Sequence, residues 1–435
     1  MKLGSNNLAV LGDTLVALTE NPTFVAAHPI VVNGIIGKLD TANIHFCVAL
    51  SQLIQTDCTL QQVVKHSQLM AQLRRCLELL LAENDGKNQS VFGRVKSICS
   101  TMRSLLDVAT FFNELERRDN GDSVKLVELW VTCCAEFADQ AALVHLAARL
   151  LSKATESDIV CSHLTQPTAS LVLASASETY VAESDTLVRL LYALGNCLAV
   201  DGRCRQNNAK LLQSMRRVFR YGCKRVELMG SNTDVLLKMI RLIANFALDE
   251  SGAVAILADQ VIIKALLWLL KLSVEDDKLV DITKYALAAL NNLVYYAKGD
   301  FEPYLGEATG VFVACLMKSD LAVTAECCRA LGNLSHFPLV VEQFEDTGAD
   351  KILHALLDAA NLNLVVNVIG IFINFTLQRP DLPIFVEKQC EGIFKLLRAM
   401  REFNECQLST LTLQLIWNLL RNVTEVIYLC YFHLT

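Results

Sequence analysis

Six segments in the later part of the chain repeat one arrangement of apolar and polar positions: LYALGNCLAV, RLIANFALDE, LAALNNLVYY, RALGNLSHFP, GIFINFTLQR and LQLIWNLLRN. Each centres on an asparagine, and Asn196, Asn245, Asn292, Asn333, Asn374 and Asn418 follow one another at intervals of 49, 47, 41, 41 and 44 residues. The residues five before, two before and one after each asparagine are apolar, from Leu191, Leu194 and Cys197 to Leu413, Ile416 and Leu419. Steps of three stay on one side of a helix, so these positions form a stripe that predicts a buried helix. Pro338 and Pro380 fall just past two of the segments, where a helix should end. The six segments are therefore predicted to be the same helix of a repeating unit.

A shorter apolar run precedes that helix: VIIKALLWLLKL (Val261–Leu272), GVFVACLMKS (Gly310–Ser319), ADKILHALLDA (Ala349–Ala359) and EGIFKLLRAM (Glu391–Met400). Gly310, Gly348 and Gly392 stand at three of these starts and are expected to supply the turn between packed helices. One- to two-turn helices such as PLVVEQFED and LPIFVEKQC come before them. The unit is thus a short, a medium and a long helix in a little over forty residues. HLAARLLSKATES fits the same frame, with Lys153 falling 43 residues before Asn196. SQLMAQLRRCLELLLAEN and VKLVELWVTCCAEFADQ keep the apolar period but lack the asparagine. The expected organisation is degenerate repeats or an N-terminal cap over residues 1–140, regular repeats over 141–422 and a C-terminal tail over 423–435. Such a chain is a quasi-one-dimensional solenoid in which each unit touches mainly its neighbours.

Composition narrows the alternatives. The 435 residues are 53% hydrophobic and 20% charged, with only 19 Gly and 7 Pro, which argues against disorder and against an all-β fold. A single core is also unlike such a length, because cores stop growing near ~250–300 residues. The 16 cysteines include no C-x-x-C, so they read as core residues of a protein in a reducing compartment rather than zinc ligands. Cys161 and His163 form a close Cys/His pair, without further ligands nearby. Polar Ser5, Asn6 and Asn7 interrupt any signal-peptide core. Ala359 to Gln378 is uncharged over twenty residues, yet its four asparagines favour a helix enclosed by other helices over a membrane span. No nucleotide-binding, zinc-protease or serine-hydrolase motif occurs, and the eight histidines are scattered. The reading is a protein without catalysis, metal or cofactor.

The three-helix unit resembles the armadillo repeat, which implies an all-α fold, an α-α superhelix. In that family the long third helices line the inner face, and their repeated asparagine hydrogen-bonds the main chain of an extended peptide. The resemblance therefore implies partner binding at Asn196, Asn245, Asn292, Asn333, Asn374 and Asn418, where a carboxamide can offer both donor and acceptor. The alternative is that these amides satisfy buried backbone groups between repeats. Nuclear-import adaptors place a tryptophan four residues before the asparagine; here Tyr192, Arg241, Ala288, Arg329, Gly370 and Gln414 stand there, which sets that subgroup aside.

The strongest charge feature is GRCRQNNAKLLQSMRRVFRYGCKRV, holding Arg203, Arg205, Lys210, Arg216, Arg217, Arg220, Lys224 and Arg225 with no acidic residue. On a chain of net charge −7 it is a positive island, read either as a solvated helix face or as a dock for an acidic partner. Nucleic acid fits less well, since no aromatic platform is interleaved with the cations. From about residue 140 to 422, LAARLLSKATES, LYALGNCLAVDGRCRQ, MIRLIANFALDESGAVAIL, ALAALNNLVYYAKG, CCRALGNLSH and LQLIWNLLRNVTE follow in order the pattern of the armadillo repeat-containing protein 2 family. That resemblance implies a cytoplasmic and axonemal scaffold for assembling motile cilia and flagella, serving radial-spoke or central-apparatus components. A generic cytosolic armadillo scaffold binding peptide segments in signalling or trafficking remains the alternative. The closing VIYLCYFHLT is apolar where a solenoid end calls for a polar cap, which suggests a truncated end, and the polar N-terminal extension of larger members is missing.

Overall fold

The computed structural model describes residues 66–82, 89–106, 122–164, 167–200, 209–229, 233–297, 301–318, 320–378 and 389–433. Among these residues every regular element is a helix. They fall into two compact units divided between Tyr221 and Gly222. The first contains α1 (His66–Ala82), α2 (Gln89–Leu106), α3 (Asp122–Glu136), α4 (Ala141–Ala154), α5 (Asp158–Leu164), α6 (Pro167–Thr179) and α7 (Ser184–Val200), and the division falls within α8 (Ala209–Met229). α2 packs against α4, and α4 against α7. Short α5 and medium α6 both pack on long α7, the first complete three-helix unit among the described residues.

The second unit holds α9 (Thr233–Phe246), α10 (Glu250–Leu257), α11 (Gln260–Glu275), α12 (Val280–Tyr296), α13 (Leu305–Leu316) and α14 (Leu321–Leu334). It continues with α15 (Pro338–Thr347), α16 (Ala349–Leu356), α17 (Leu362–Gln378), α18 (Gln389–Phe403) and α19 (Cys406–His433). The long helices α9, α12, α14, α17 and α19 pack on one another in succession, and the shorter ones lie against them. Residues 423–433, set apart above as a tail, continue α19.

Local chemistry places the helix starts. Asp249 accepts from the Gly252 amide at 2.9 Å, Asp259 from Val261 at 3.0 Å, and Asp320 from Ala322 and Val323 at 2.9 Å each. Each such cap satisfies a backbone donor that the helix leaves unpaired, for about 1 kcal/mol. Gly348 takes φ 67 between α15 and α16, a left-handed turn that favours glycine. Gly310 and Gly392 do not act this way, because they sit inside α13 and α18, which begin at Leu305 and Gln389. The turn before α13 is made instead by a 3₁₀ helix, Glu302–Tyr304, whose Pro303 fixes the backbone where no amide is needed. Gly252 answers a different need: a Cβ there would lie 1.8 Å from the Phe246 carbonyl oxygen, so only glycine lets α10 approach the end of α9.

The apolar stripe is the core. In α7, α9, α12, α14 and α17 the three stripe residues are all buried, for example Ile240, Ile243 and Phe246 in α9. Phe375 of α17 meets Phe344 of α15 edge-on at 5.3 Å between ring centroids. Nine of the described cysteines are buried, including Cys133, Cys134, Cys327 and Cys328, so the adjacent pairs pack as small apolar residues. Among the described residues no single helix is long and apolar enough to cross a membrane; α10 and α11 reach that hydropathy only together, and the chain bends by 87° between them. α17 is 17 residues long and mostly buried.

Candidate functional site

The asparagines sit beside the buried stripe, turned toward the preceding long helix. Asn292 donates from Nδ2 to the Ala244 carbonyl at 3.0 Å, and Asn374 donates to the Gly332 carbonyl at 3.2 Å and to Ser335 Oγ at 2.7 Å. Asn333 donates to Asn291 Oδ1 at 2.9 Å, and Asn418 to Thr376 Oγ1 at 3.2 Å. In the first unit, Asn196 donates to the Thr155 carbonyl at 3.0 Å, 41 residues earlier. Asn245 is half-buried on α9. Ala244 and Gly332 lie in the last turns of α9 and α14, where carbonyls lack an intrahelical donor. Asn196, Asn292, Asn333, Asn374 and Asn418 thus each bridge one repeat to the repeat before it through an N–H.

That commitment narrows what a ligand could receive. The two-point carboxamide grip expected above has one of its two N–H donors engaged within the chain at Asn292 and Asn418, and both at Asn374. The Oδ1 atoms of Asn374 and Asn418 have no hydrogen-bond partner among the described residues and are not sealed from solvent. They can accept from a peptide N–H. Asn196 is different: it is 8% exposed and belongs to the interior.

Two residues that the motif search passed over complete the surface in the second unit. A cavity of about 390 Å³ is lined by Asn291, Asn292, Asn333, Tyr295, Tyr296 and Arg329, with Ala247 and Leu248. Tyr295 is 67% exposed and meets Tyr296 edge-on at 4.9 Å, while Tyr296 donates its hydroxyl to the Leu248 carbonyl at 3.0 Å. Arg329 pairs with Glu326 at 3.1 Å. Turned over, the Asn291 amide satisfies both of its ends on Arg329: its oxygen accepts from Nε at 3.2 Å and Nη2 at 3.1 Å, and its nitrogen donates to the Arg329 carbonyl at 3.2 Å. Helical spacing could have found both residues, since Tyr295 is three after Asn292 and Arg329 is four before Asn333, on the asparagine side. The cavity offers an amide acceptor, an aromatic wall and a guanidinium, a mixture suited to a peptide side chain and its adjoining main chain.

The basic segment divides. Arg203 and Arg205 lie outside the described residues. Lys210, Arg216, Arg217, Arg220 and Lys224 are exposed on α8, and Arg225 lies in the same helix. Arg217 pairs with Glu178 of α6 at 3.1 Å. Leu211, Met215, Val218 and Phe219 are buried on the other side, as the amphipathic pattern predicts, and Leu212 is half-buried.

Elsewhere the reactive side chains are held apart. Cys161 donates its thiol to the Thr155 carbonyl at 3.2 Å, whereas exposed His163 is bonded to the Ile159 carbonyl at 2.9 Å. His145 lines a cavity of about 660 Å³ with Lys96, Glu183, Asp185 and Thr186, and its ring lies 3.0 Å from Thr186 Oγ1. Burial, and then the Arg149 charge, hold its pKa below the usual histidine value. Burial pushes the Cys134, Cys315 and Cys328 thiols up to about 12, which makes them poor nucleophiles at neutral pH. Among the described residues no cluster of three His, Cys, Asp or Glu could hold a metal ion.

Stacked short, medium and long helices, tied repeat to repeat by an amide on the long helix, define an armadillo-type α-solenoid. The family resemblance has a counterpart among known proteins. Over 306 residues the chain is 26% identical to armadillo repeat-containing protein 2 of Homo sapiens, a match covering 64% of this chain and 35% of that protein. The protein of the same name from Mus musculus is 24% identical over 316 residues, covering 68% and 36%. The chain thus spans about a third of the length of these curated relatives. No protein-family model matches it. Among solved structures, an engineered protein superposes with a TM-score of 0.58 at 15% identity, covering 88% of this chain and 96% of that one. A designed armadillo repeat protein gives 0.47 at 19% identity, covering 57% and 99%.

Proposed function

We propose that this protein is a non-enzymatic adaptor that holds protein partners along the long-helix wall of its second unit during assembly of motile cilia or flagella. The observation that carries the binding reading is the pair of open Asn374 and Asn418 acceptors, together with the Tyr295–Arg329 cavity on the same run of long helices. An extended segment with free N–H groups fits such a pair, because successive acceptors contact its main chain whatever its side chains are. Asn245 and Asn292 carry the same motif on α9 and α12, and Asn196 carries it in the first unit. The ciliary part rests on the likeness to armadillo repeat-containing protein 2 over 306 residues. It implies radial-spoke or central-apparatus components as partners, and cytoplasm and axoneme as locations.

Affinity purification of a tagged chain from ciliated cells, followed by mass spectrometry, tests both parts. Axonemal proteins should be recovered with the wild type and depleted with Tyr295→Ala and Arg329→Ala, exposed changes that leave the amide bridges intact. Recovery unchanged by these variants would remove the wall from the reading. A diffuse tagged copy, together with normal motility after deletion of the gene, would leave the generic cytosolic scaffold as the better account.

A further inference from the structure

Helix α8 is strongly basic, and the wall reading makes no use of it. With a rotation of about 100° per residue, Lys210, Arg216, Arg217 and Arg220 fall within an arc of about 120° and along about 15 Å of axis. The opposite side is anchored: Leu211, Met215, Val218 and Phe219 are at most 2% exposed. The helix therefore cannot lay its apolar face into a bilayer. Glu178 reaches the row, 3.1 Å from Arg217, and Lys210 and Arg220 have no ion pair among the described residues. All of this stands on a chain of net charge −7.

We propose that the exposed face of α8 docks an extended, Glu- or Asp-rich polypeptide segment, with Glu178 as its intramolecular competitor. Alternate side chains of an extended chain recur every ~6.6–6.8 Å. That matches the ~6 Å rise between helix residues four apart, such as Arg216 and Arg220. Carboxylates at every second position would then meet successive turns. A nucleic acid is less well served, because its bases would find a single half-buried ring, Tyr221, and no series of stacking faces, Phe219 being buried. Its long run of phosphates would also meet the acidic remainder of the chain.

The test uses the full chain and a fluorescein-labelled octaglutamate peptide, read by fluorescence anisotropy. Saturable binding that weakens with rising salt is expected, and an octaserine control should not bind. The triple variant Lys210→Glu, Arg216→Glu, Arg220→Glu should weaken binding by about tenfold or more, as charge reversal at a complementary surface does. Glu178→Gln should strengthen it by about two- to threefold, because a partly exposed pair competes only modestly. A purely solvated helix face does not produce that gain. If the triple variant loses its helical circular dichroism, the Glu178→Gln gain and the Arg220→Glu loss decide instead. Absence of octaglutamate binding, equal binding by the variants, or tighter binding of an oligothymidine or of phosphatidylserine vesicles through the same residues would overturn the proposal.

Discussion

Helices α17 and α19 carry the same apolar stripe around their asparagines but bury it to different extents. In α17, Ile369, Phe372 and Phe375 are 0% exposed and Ile373, one residue before Asn374, is 6% exposed. In α19 the stripe opens at its first position and narrows along the helix: Leu413 is 57% exposed, Ile416 half-buried and Leu419 3% exposed, while Trp417, one residue before Asn418, is 68% exposed. α17 packs between α14 and α19, while α19 packs against α17 and α18. Burial of a repeat is thus completed by the repeat beside it, so equal sequence patterns acquire unequal energetic weight. The amides follow the same trend. Asn374 makes two donor bonds to the preceding helix end and Asn418 makes one.

The comparison can be broken most directly at the stripe. Ile369→Ala should cost about 2–5 kcal/mol, the range for truncating a sealed aliphatic side chain. Its counterpart Leu413→Ala should cost less than about 0.5 kcal/mol, as surface changes do. Equal shifts in the urea midpoints of the two variants would contradict completion by the neighbour. Next in size, Asn374→Ala should cost about 1–2 kcal/mol and Asn418→Ala about 0.5–1 kcal/mol, following the number of hydrogen bonds lost. Reversal of that order in thermal melts would mean the bridges are not what holds these amides.

A smaller pair of changes separates residue type from position. Gly348→Ala should destabilise by about 1 kcal/mol, because its φ of 67 suits glycine. Gly310→Ala should stabilise by about 0.5–1 kcal/mol, since it is exposed inside α13 with nothing within 4 Å of an added Cβ. Thiol labelling needs no destabilising change at all. At neutral pH, maleimide should reach exposed Cys406 at the start of α19 well before buried Cys328 of α14, as read by peptide mass mapping. Cys134, Cys315 and Cys328 ionise near 12 when folded, against 9.0 for a free thiol. Unfolding therefore releases protons in that window, and their contribution to stability is intact below pH 9 and is lost as pH rises toward 12.

Much of the fold was legible because each long helix states its own buried face. Ile240, Leu287, Cys328 and Ile369 could be assigned to the core from spacing alone, and all four are sealed. The turn chemistry was less legible. Gly348 does make a left-handed turn, yet Gly310 and Gly392 are carried inside helices, since a glycine marks a possible break and neighbouring packing decides whether the chain breaks there. For the candidate site, sequence named the asparagines, but neither the engagement of their N–H groups with the preceding helix nor the assembly of Tyr295, Arg329 and Asn333 around one cavity follows from it. Those partners lie up to 48 residues apart, as for Asn292 and Ala244.

What the sequence determined alone was local and periodic: an all-α chain of three-helix units, an apolar stripe, an amide at each centre and one basic helix. Tertiary packing decided which copies of the pattern are sealed, which amide atoms remain open and that the Glu178 carboxylate meets Arg217 of the basic row. The physical reason is that the residues closing each surface sit one repeat away, a distance over which the chain's own periodicity places helices but does not assign contacts.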